Sequence, residues 1–328
     1  EVAYLILNKE LPNKSNLKKF KKELEKNRNI SINLREIVKH MPKKSHPMDV
    51  ARTVVSVMGL EDKDTSNNSP AANMRKAVRI FAKTPTAMAA FFRTRKGKNV
   101  IPPKKSLGFS ENFFYMCFGK TPSKEIVKAF DISLILYAEH SFNVSTFTAR
   151  TITSSLSDIH SAITGAIGSL KGPLHGGANE AVMYMMNKIK KPENALKWIN
   201  NALDKKEVVM GFGHRVYKKG DSRVPTMEKY FKKVAKIKND KKFFKIYDVV
   251  KNVMIERKDI HPNVDFPTGP TYHLMGFDTD FFTPIFVLSR ITGWSAHIME
   301  QHAANKLIRP LSKYSGEKHR KVMLLNQR

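Results

Sequence analysis

Two histidines and one aspartate in this sequence have the residue types and settings needed to move protons beside carbonyl groups. His175 lies in Lys171-Gly172-Pro173-Leu174-His175-Gly176-Gly177-Ala178-Asn179-Glu180. His214 lies in Gly211-Phe212-Gly213-His214-Arg215-Val216-Tyr217, which runs on to Asp221-Ser222-Arg223. Asp265 lies in the turn-rich stretch Ile260-His261-Pro262-Asn263-Val264-Asp265-Phe266-Pro267-Thr268-Gly269-Pro270. Glycines around a histidine allow backbone angles that other residues avoid and let a ligand approach the main chain. The run after His175, Glu180 to Lys188, is apolar at helical spacing, so His175 is expected just ahead of a helix N-terminus. The positive end of that helix would disfavour a second proton on the imidazole. A neutral imidazole can then donate one hydrogen bond to an oxygen gaining negative charge.

Two histidines and a carboxylate could also form a metal triad. Against that, all three lie on turns and none pairs at the i, i+4 spacing of a helical zinc site. Acyl transfer would need a nucleophile; Ser145, Ser222 and Thr268 are candidates, and none lies in a Gly-x-Ser-x-Gly turn. What remains is proton transfer, with a carboxylate base and two imidazoles handling the oxygens of two carbonyl partners. Singly, each group has a plainer role. Asp265 could cap a helix or close an Asx turn. A lone His140 or His302 is more often structural, and Arg223, Arg290 and Arg309 are more often salt-bridge partners. Together, the arginines and His140 would make a pocket for a small dicarboxylate, because guanidinium pairs with carboxylate through two parallel hydrogen bonds.

The elements that must position these groups read as helices throughout. Expected helices run from Val2 to Asn8, Ser15 to Asn27 and Asn33 to Met41, then from His46 through Met58, stopped by Gly59. Glu61 to Pro70 reads as a loop, and Met74 to Thr94 as a helix interrupted near Pro85. Residues 95–107 read as an exposed loop. Thr121-Pro122 is expected to cap a helix through Glu139, followed by another from Ser145 to Ser169. Further helices are expected at Glu180 to Lys190, Pro192 to Lys205, Pro225 to Ile237, Phe243 to Glu256 and Thr283 to Ala304, before a polar, basic tail. No stretch alternates like a strand, and the expected fold is all-α.

Composition narrows the class further. The 328 residues suffice for a substantial core, and no apolar run approaches a membrane span. The first residues lack the features of a signal peptide and read as the middle of a helix, so the chain is expected to begin inside a longer protein. The single cysteine, Cys117, excludes an intramolecular disulfide; in the aromatic run Phe113 to Phe118 it reads as a buried thiol, which suits a reducing cytoplasm. The net charge of +29 comes from 58 Lys+Arg against 29 Asp+Glu. Such a charge raises the question of nucleic acid. However, the excess is mostly lysine spread along helix faces, as in Lys14 to Lys26 and Lys232 to Lys245, without an arginine-rich tail, zinc-finger spacing or RNA-binding signature. Solvated lysines are the expectation, and the field would still favour an anionic small ligand.

The motif blocks, in order and spacing, resemble the citrate synthase family, in its shorter bacterial form. The matching residues are Gly172 to Asn179, Gly211 to Tyr217 with Asp221-Ser222-Arg223, Pro262-Asn263-Val264-Asp265, Ser289 to Trp294, Ile308-Arg309-Pro310, and Glu139-His140 with Asn143 to Thr146. The resemblance covers residues 1–316. It implies an all-α homodimer with a large helical domain (1–174 and 277–328) and a small one (175–276), the active site lying in the cleft. It implies condensation of acetyl-CoA with oxaloacetate, followed by thioester hydrolysis, with no metal and no cofactor beyond the acyl-CoA substrate. Asp265 would be the base, His175 the donor to the thioester oxygen and His214 the acid at the oxaloacetate carbonyl. His140, Arg223, Arg290 and Arg309 would bind oxaloacetate, Arg309 coming from the partner subunit. Val209, Met210, Gly211, Phe212 and Gly213 would receive the adenine of CoA, and Lys218 a phosphate. The chain departs from the family in its lysine load and in lacking a few dozen N-terminal residues. His46 to Thr53 and Gly293 to Ile298 are also similar to 2-methylcitrate synthases, which use propionyl-CoA, whereas Leu174 and Arg215 look like citrate synthase proper. Citrate synthase is the leading expectation, and 2-methylcitrate synthase the alternative. A basic nucleic-acid-binding protein on the same fold is a distant third, since every catalytic position is present.

Overall fold

A computed structural model of the chain describes residues 1–217 and 219–328, and among them the regular structure is helical. Its one strand-like feature is a single antiparallel bridge between Phe212 and Pro262. The helices are α1 (Val2–Asn8), α2 (Lys14–Asn27), α3 (Ile32–His40), α4 (Pro47–Glu61), α5 (Pro70–Thr94), α6 (Phe109–Phe118), α7 (Lys124–Tyr137), α8 (Val144–Ser154) and α9 (Ile159–Leu170). They continue with α10 (Ala178–Ile189), α11 (Ala195–Asp204), α12 (Val224–Ile237), α13 (Lys242–Lys258), α14 (Asp265–Leu274) and α15 (Phe282–Ala303). Their starts follow local chemistry. The side chains of Asn13, Ser31, Ser69, Asn143 and Asp158 each accept a hydrogen bond from a backbone N–H of the first turn.

The core is built around α15, whose residues 282–295 are all buried. It packs against α1, α5, α7, α8 and α9, while α10 to α14 pack among themselves and join the rest through α12 on α7 and α10 on α15. A cluster of phenylalanines, including Phe92, Phe113, Phe130, Phe277 and Phe281, fills the space between α5, α6 and α7 and the segment ahead of α15. Arg95 grips Asp280 through two hydrogen bonds of 3.1 and 2.7 Å, fixing the end of α5 against the entry to α15. No helix of the described residues is long and apolar enough to cross a membrane. Cys117 is buried, and burial pushes its thiol pKa well up, so it is inert.

Several element boundaries differ from the sequence expectation. α4 runs through Gly59 to Glu61: the missing side chain lets His160 pack there, since a Cβ on Gly59 would lie 3.0 Å from that of His160. α5 runs unbroken through Pro85, because residues 84–92 are buried on every side and packing outweighs one lost ladder bond. The single helix expected from Ser145 to Ser169 is two, divided where Leu156 takes a φ of 66° and Asp158 caps α9. α7 starts only after Ser123, and a 3-10 turn at Pro192–Asn194 precedes α11. The turn-rich stretch 260–270 is half helical. α14 begins at Asp265, with Pro267 in the first turn, where a backbone N–H has no partner to lose.

Candidate active site

His175 sits in the turn between α9 and α10. This turn closes by a hydrogen bond from Gly176 N to Leu170 O (3.0 Å), and a Cβ at Gly176 would stand 2.5 Å from that oxygen, so only glycine fits. The ring meets Ser145, at the start of α8. Its Nε2 lies 2.9 Å from Ser145 Oγ and 3.3 Å from Ser145 N. A backbone N–H can only donate, so Nε2 accepts and the neutral ring carries its proton on Nδ1. Ser145 is itself held: Oγ accepts from the Trp294 indole (3.1 Å), and its single proton serves either Nε2 or Asn143 Oδ1, which lies 2.7 Å away. Burial, then the charges of Arg290 and His140, pulls the His175 pKa down to about 4. Burial is thus the leading influence that keeps this imidazole neutral.

His214 is set the other way round. Its Nδ1 accepts from Val216 N (3.0 Å) and Tyr217 N (3.3 Å), which leaves the proton on Nε2. Its ring packs edge-on against His140 at 5.0 Å and tilted against Tyr217 at 4.7 Å. Tyr217 Oη in turn lies 3.2 Å from His140 Nε2. Burial, with Arg223 and Arg290 adding repulsion, lowers the His140 pKa to about 4. Just before His214, Gly211 and Gly213 take positive φ of 86° and 72°. The pair lets this segment run beside residues 261–263: Gly213 N donates to His261 O, Asn263 N to Gly211 O, and Asn263 Nδ2 to Gly213 O, at 2.9, 2.9 and 3.0 Å. Asn263 Oδ1 then accepts the N–H of Asp265 (3.1 Å), so one asparagine joins the His214 loop to the aspartate.

Asp265 is the first residue of α14. Its Oδ1 accepts a 2.5 Å hydrogen bond from Tyr137 Oη at the end of α7. Burial raises its pKa to about 6, against the opposing pull of the Tyr137 hydroxyl and Arg223. Two guanidiniums stand nearby. Arg223 forks onto Asp221 at 2.9 and 2.8 Å, and Asp221 also accepts from Val264 N (3.0 Å), the residue before Asp265. Although Asp221 is buried, Arg223 holds its carboxyl below the usual range. Arg290, 2% exposed on α15, donates from Nε to Tyr137 O (2.6 Å) and lies over the Phe286 ring at 4.6 Å. Its Nη1 is buried without a hydrogen-bond partner. Burial and the charge of Arg223 lower its pKa to about 9. Arg290 acts electrostatically on His140, His175 and Asp265 alike, so these groups share one electrostatic neighbourhood.

Not every expected residue reaches it. Arg309 is exposed on the segment after α15. Lys218, expected at a phosphate, lies outside the described residues. Val209 to Gly213 border the aspartate loop through the Phe212–Pro262 bridge. No group of three His, Cys, Asp or Glu among the described residues is placed to hold a metal ion. The sequence reading missed Tyr137, Asn263 and the linking role of Asp221. Tyr137 carries a faint signal, a polar-tipped aromatic three residues before His140 at the end of an apolar helix.

Comparison with known proteins places the chain in a family. A model of the citrate synthase C-terminal domain matches residues 1–311. The chain is similar to a citrate synthase of Mycolicibacterium smegmatis, 50% identical over 323 residues, covering 98% of this chain and 86% of that one. It is equally similar to a 2-methylcitrate synthase of Mycobacterium tuberculosis, 51% identical over 320 residues, with 98% and 81% covered. Among solved structures, it resembles the citrate synthase of the thermophilic archaeon Thermoplasma acidophilum in ternary complex with carboxymethyl coenzyme A and oxaloacetate. There the TM-score is 0.93 at 31% identity, over 99% of this chain and 87% of that one.

Proposed function

The chain belongs to the citrate synthase family, and we propose that its pocket joins an acyl-CoA to oxaloacetate and hydrolyses the product thioester, with acetyl-CoA as the favoured donor. The observation that carries this reading is the pair of neutral imidazoles locked in opposite tautomers around a raised carboxylate. Asp265 takes a proton from the carbon beside the thioester carbonyl. The Nδ1–H of His175 hydrogen-bonds the thioester oxygen and stabilises the enol that forms. The enol carbon attacks the ketone carbon of oxaloacetate while the Nε2–H of His214 protonates the ketone oxygen. Water then cleaves the thioester, releasing CoA and the tricarboxylate.

Arg223, Arg290 and His140 hold the oxaloacetate carboxylates, with the unpartnered Nη1 of Arg290 as a ready donor. Val209 to Gly213 take the adenine, and Lys218 contacts a phosphate. The unit 175–276 closes over residues 1–174 and 277–328 and excludes water from the enol. The working form is a cytoplasmic homodimer in which the partner subunit's Arg309 completes the pocket, which accounts for its exposure in the single chain.

A 2-methylcitrate synthase is the second reading, favoured by relatives of that name at the same identity. One extra methylene in an apolar pocket shifts selectivity by only about 1–3 kcal/mol. The test is oxaloacetate-dependent thiol release from acetyl-CoA and propionyl-CoA, compared as kcat/KM. A higher value for acetyl-CoA supports the first reading, a higher value for propionyl-CoA the second, and release from neither overturns both.

A further inference from the structure

Behind the wall that carries Arg223 and Asp265 lies a second cavity, of about 740 Å³, between α12, α13 and the turns at 219–222 and 261–262. Five lysines line it: Lys219, Lys229, Lys232, Lys233 and Lys251. The carboxylate of Glu228 sits among them, already held by Lys232 and Lys251 at 2.7 Å each and by the Tyr247 hydroxyl at 3.0 Å. Asp221, the other acid of the lining, is taken by Arg223. Lys219, Lys229 and Lys233 meet no carboxylate among the described residues. Lys229, Lys232 and Lys233 share one face of α12 at i, i+3 and i+4, an arrangement of like charges that opposes the helix unless an anion stands between them. The rest of the wall combines apolar Val224, Pro225, Ile255 and Pro262 with Gly220, Ser222 and His261. Cationic ends around a partly apolar wall suit a ligand with a phosphate chain and a flat base.

We propose that this cavity binds the phosphate groups of a nucleotide. Val209 to Gly213 do not line it, so it is not the face offered to the adenine of CoA. Its walls nevertheless continue straight into the site. The turn 219–222 leads to Arg223, and Pro262, bridged to Phe212, leads to Asp265. Occupation would bias how the two loops close; that consequence rests on the proposed function, whereas binding does not.

The experiment is isothermal titration of the full chain with sodium tripolyphosphate and with ATP at fixed ionic strength. It is repeated on Lys229→Glu/Lys233→Glu, on the milder Lys229→Gln/Lys233→Gln, and on Lys18→Glu/Lys22→Glu, which makes the same charge change on the exposed face of α2. Saturable one-to-one binding is expected, weakened at least tenfold in both cavity variants and unchanged in the α2 variant. No saturable binding of either probe, or equal weakening in all variants, would overturn the proposal, the latter by showing only the diffuse field of a +29 chain. Repeating the titration with saturating CoA separates the sources. Displacement, with a raised KM for acyl-CoA in the cavity variants, assigns the phosphates to CoA itself. Retention, with turnover in the absence of polyphosphate unchanged in those variants, assigns them to a separate nucleotide. Because the titration needs no turnover, it stands even where neither acyl-CoA reacts.

Discussion

Tyr137→Phe removes one hydroxyl and leaves the ring against Phe286, 4.2 Å between centroids. That hydroxyl donates to Asp265 Oδ1 at 2.5 Å, so it favours the ionised carboxylate. The native carboxyl titrates at about 6, where burial pushes it up and the tyrosine and Arg223 hold it back. A hydrogen bond to a charged group contributes roughly 1.5–3 kcal/mol, and a pKa unit is about 1.4 kcal/mol, so its loss raises the Asp265 pKa by roughly one to two units. A base must be deprotonated, so activity is lost as pH falls through that pKa. His140 and His175, both at about 4, stay neutral across the window and add no competing step. The assay is kcat/KM for acyl-CoA against pH at saturating oxaloacetate. The acid limb of the wild type should bend near 6, and that of Tyr137→Phe roughly one to two units higher, from a hydrogen bond of roughly 1.5–3 kcal/mol. An unmoved limb, or one moved toward acid, would refute the assignment of Asp265 as base or of Tyr137 as its anchor.

Asp265→Asn should abolish condensation while oxaloacetate still binds. It should also stabilise the free protein at neutral pH by up to roughly 3 kcal/mol, because a folded pKa raised to about 6 means the ionised form is strained above that pH and relieved as pH falls toward the unfolded value. Thermal melts at neutral pH and near pH 4 check this, and the gain should vanish at the lower pH. Asp221→Asn should raise the KM for oxaloacetate by loosening Arg223, and should lower stability by roughly 3 kcal/mol in urea unfolding, since it strips one partner from a buried pair. Arg290→Met should leave the apoprotein as stable or more so and remove the melting shift caused by oxaloacetate; a retained shift would show that the carboxylates bind elsewhere. Arg309→Ala and His175→Ala chains, each inactive alone, should regain about a quarter of wild-type activity when unfolded together and reassembled, if each site draws its Arg309 from the other subunit of a twofold dimer. No recovery would sink the shared site.

Where sequence and structure agree, the signal is local, and where they part, it is not. The helices of the first forty residues, α10, α12, α13 and α15 were legible to within two or three residues, because polar caps and apolar periodicity sit next to each other in the chain. Pro85 and Gly59 misled for one reason: each has a local cost that only the surrounding burial outweighs, and burial is a property of the assembled core. At the site, the glycine settings of His175 and His214 and the arginines were visible as types. The tautomers were not, because they depend on which backbone N–H meets which ring nitrogen, across 30 residues for Ser145 and His175. Tyr137 left only a faint signal for the same reason: its partner Asp265 stands 128 residues away.

Arg290 and Asp265 are two strained charges that offset each other only in part. Arg290 binds its proton only to about 9 rather than 12.5. Since a guanidinium keeps its proton in proteins, the shift marks a buried cation that the surrounding groups do not fully compensate. Asp265 carries a smaller stress of the opposite sign of charge. Tyr137 touches both, its carbonyl taking Arg290 Nε and its hydroxyl holding Asp265. On the proposed function, a dicarboxylate entering beside Arg290 would relieve it directly. It also sets fresh negative charge near Asp265, which makes that carboxylate hold a proton more firmly and so act as a stronger base. Electrostatics alone therefore favours an order: the dicarboxylate first, because it alone removes the larger strain, and the acyl-CoA second, meeting a base that the first substrate has strengthened.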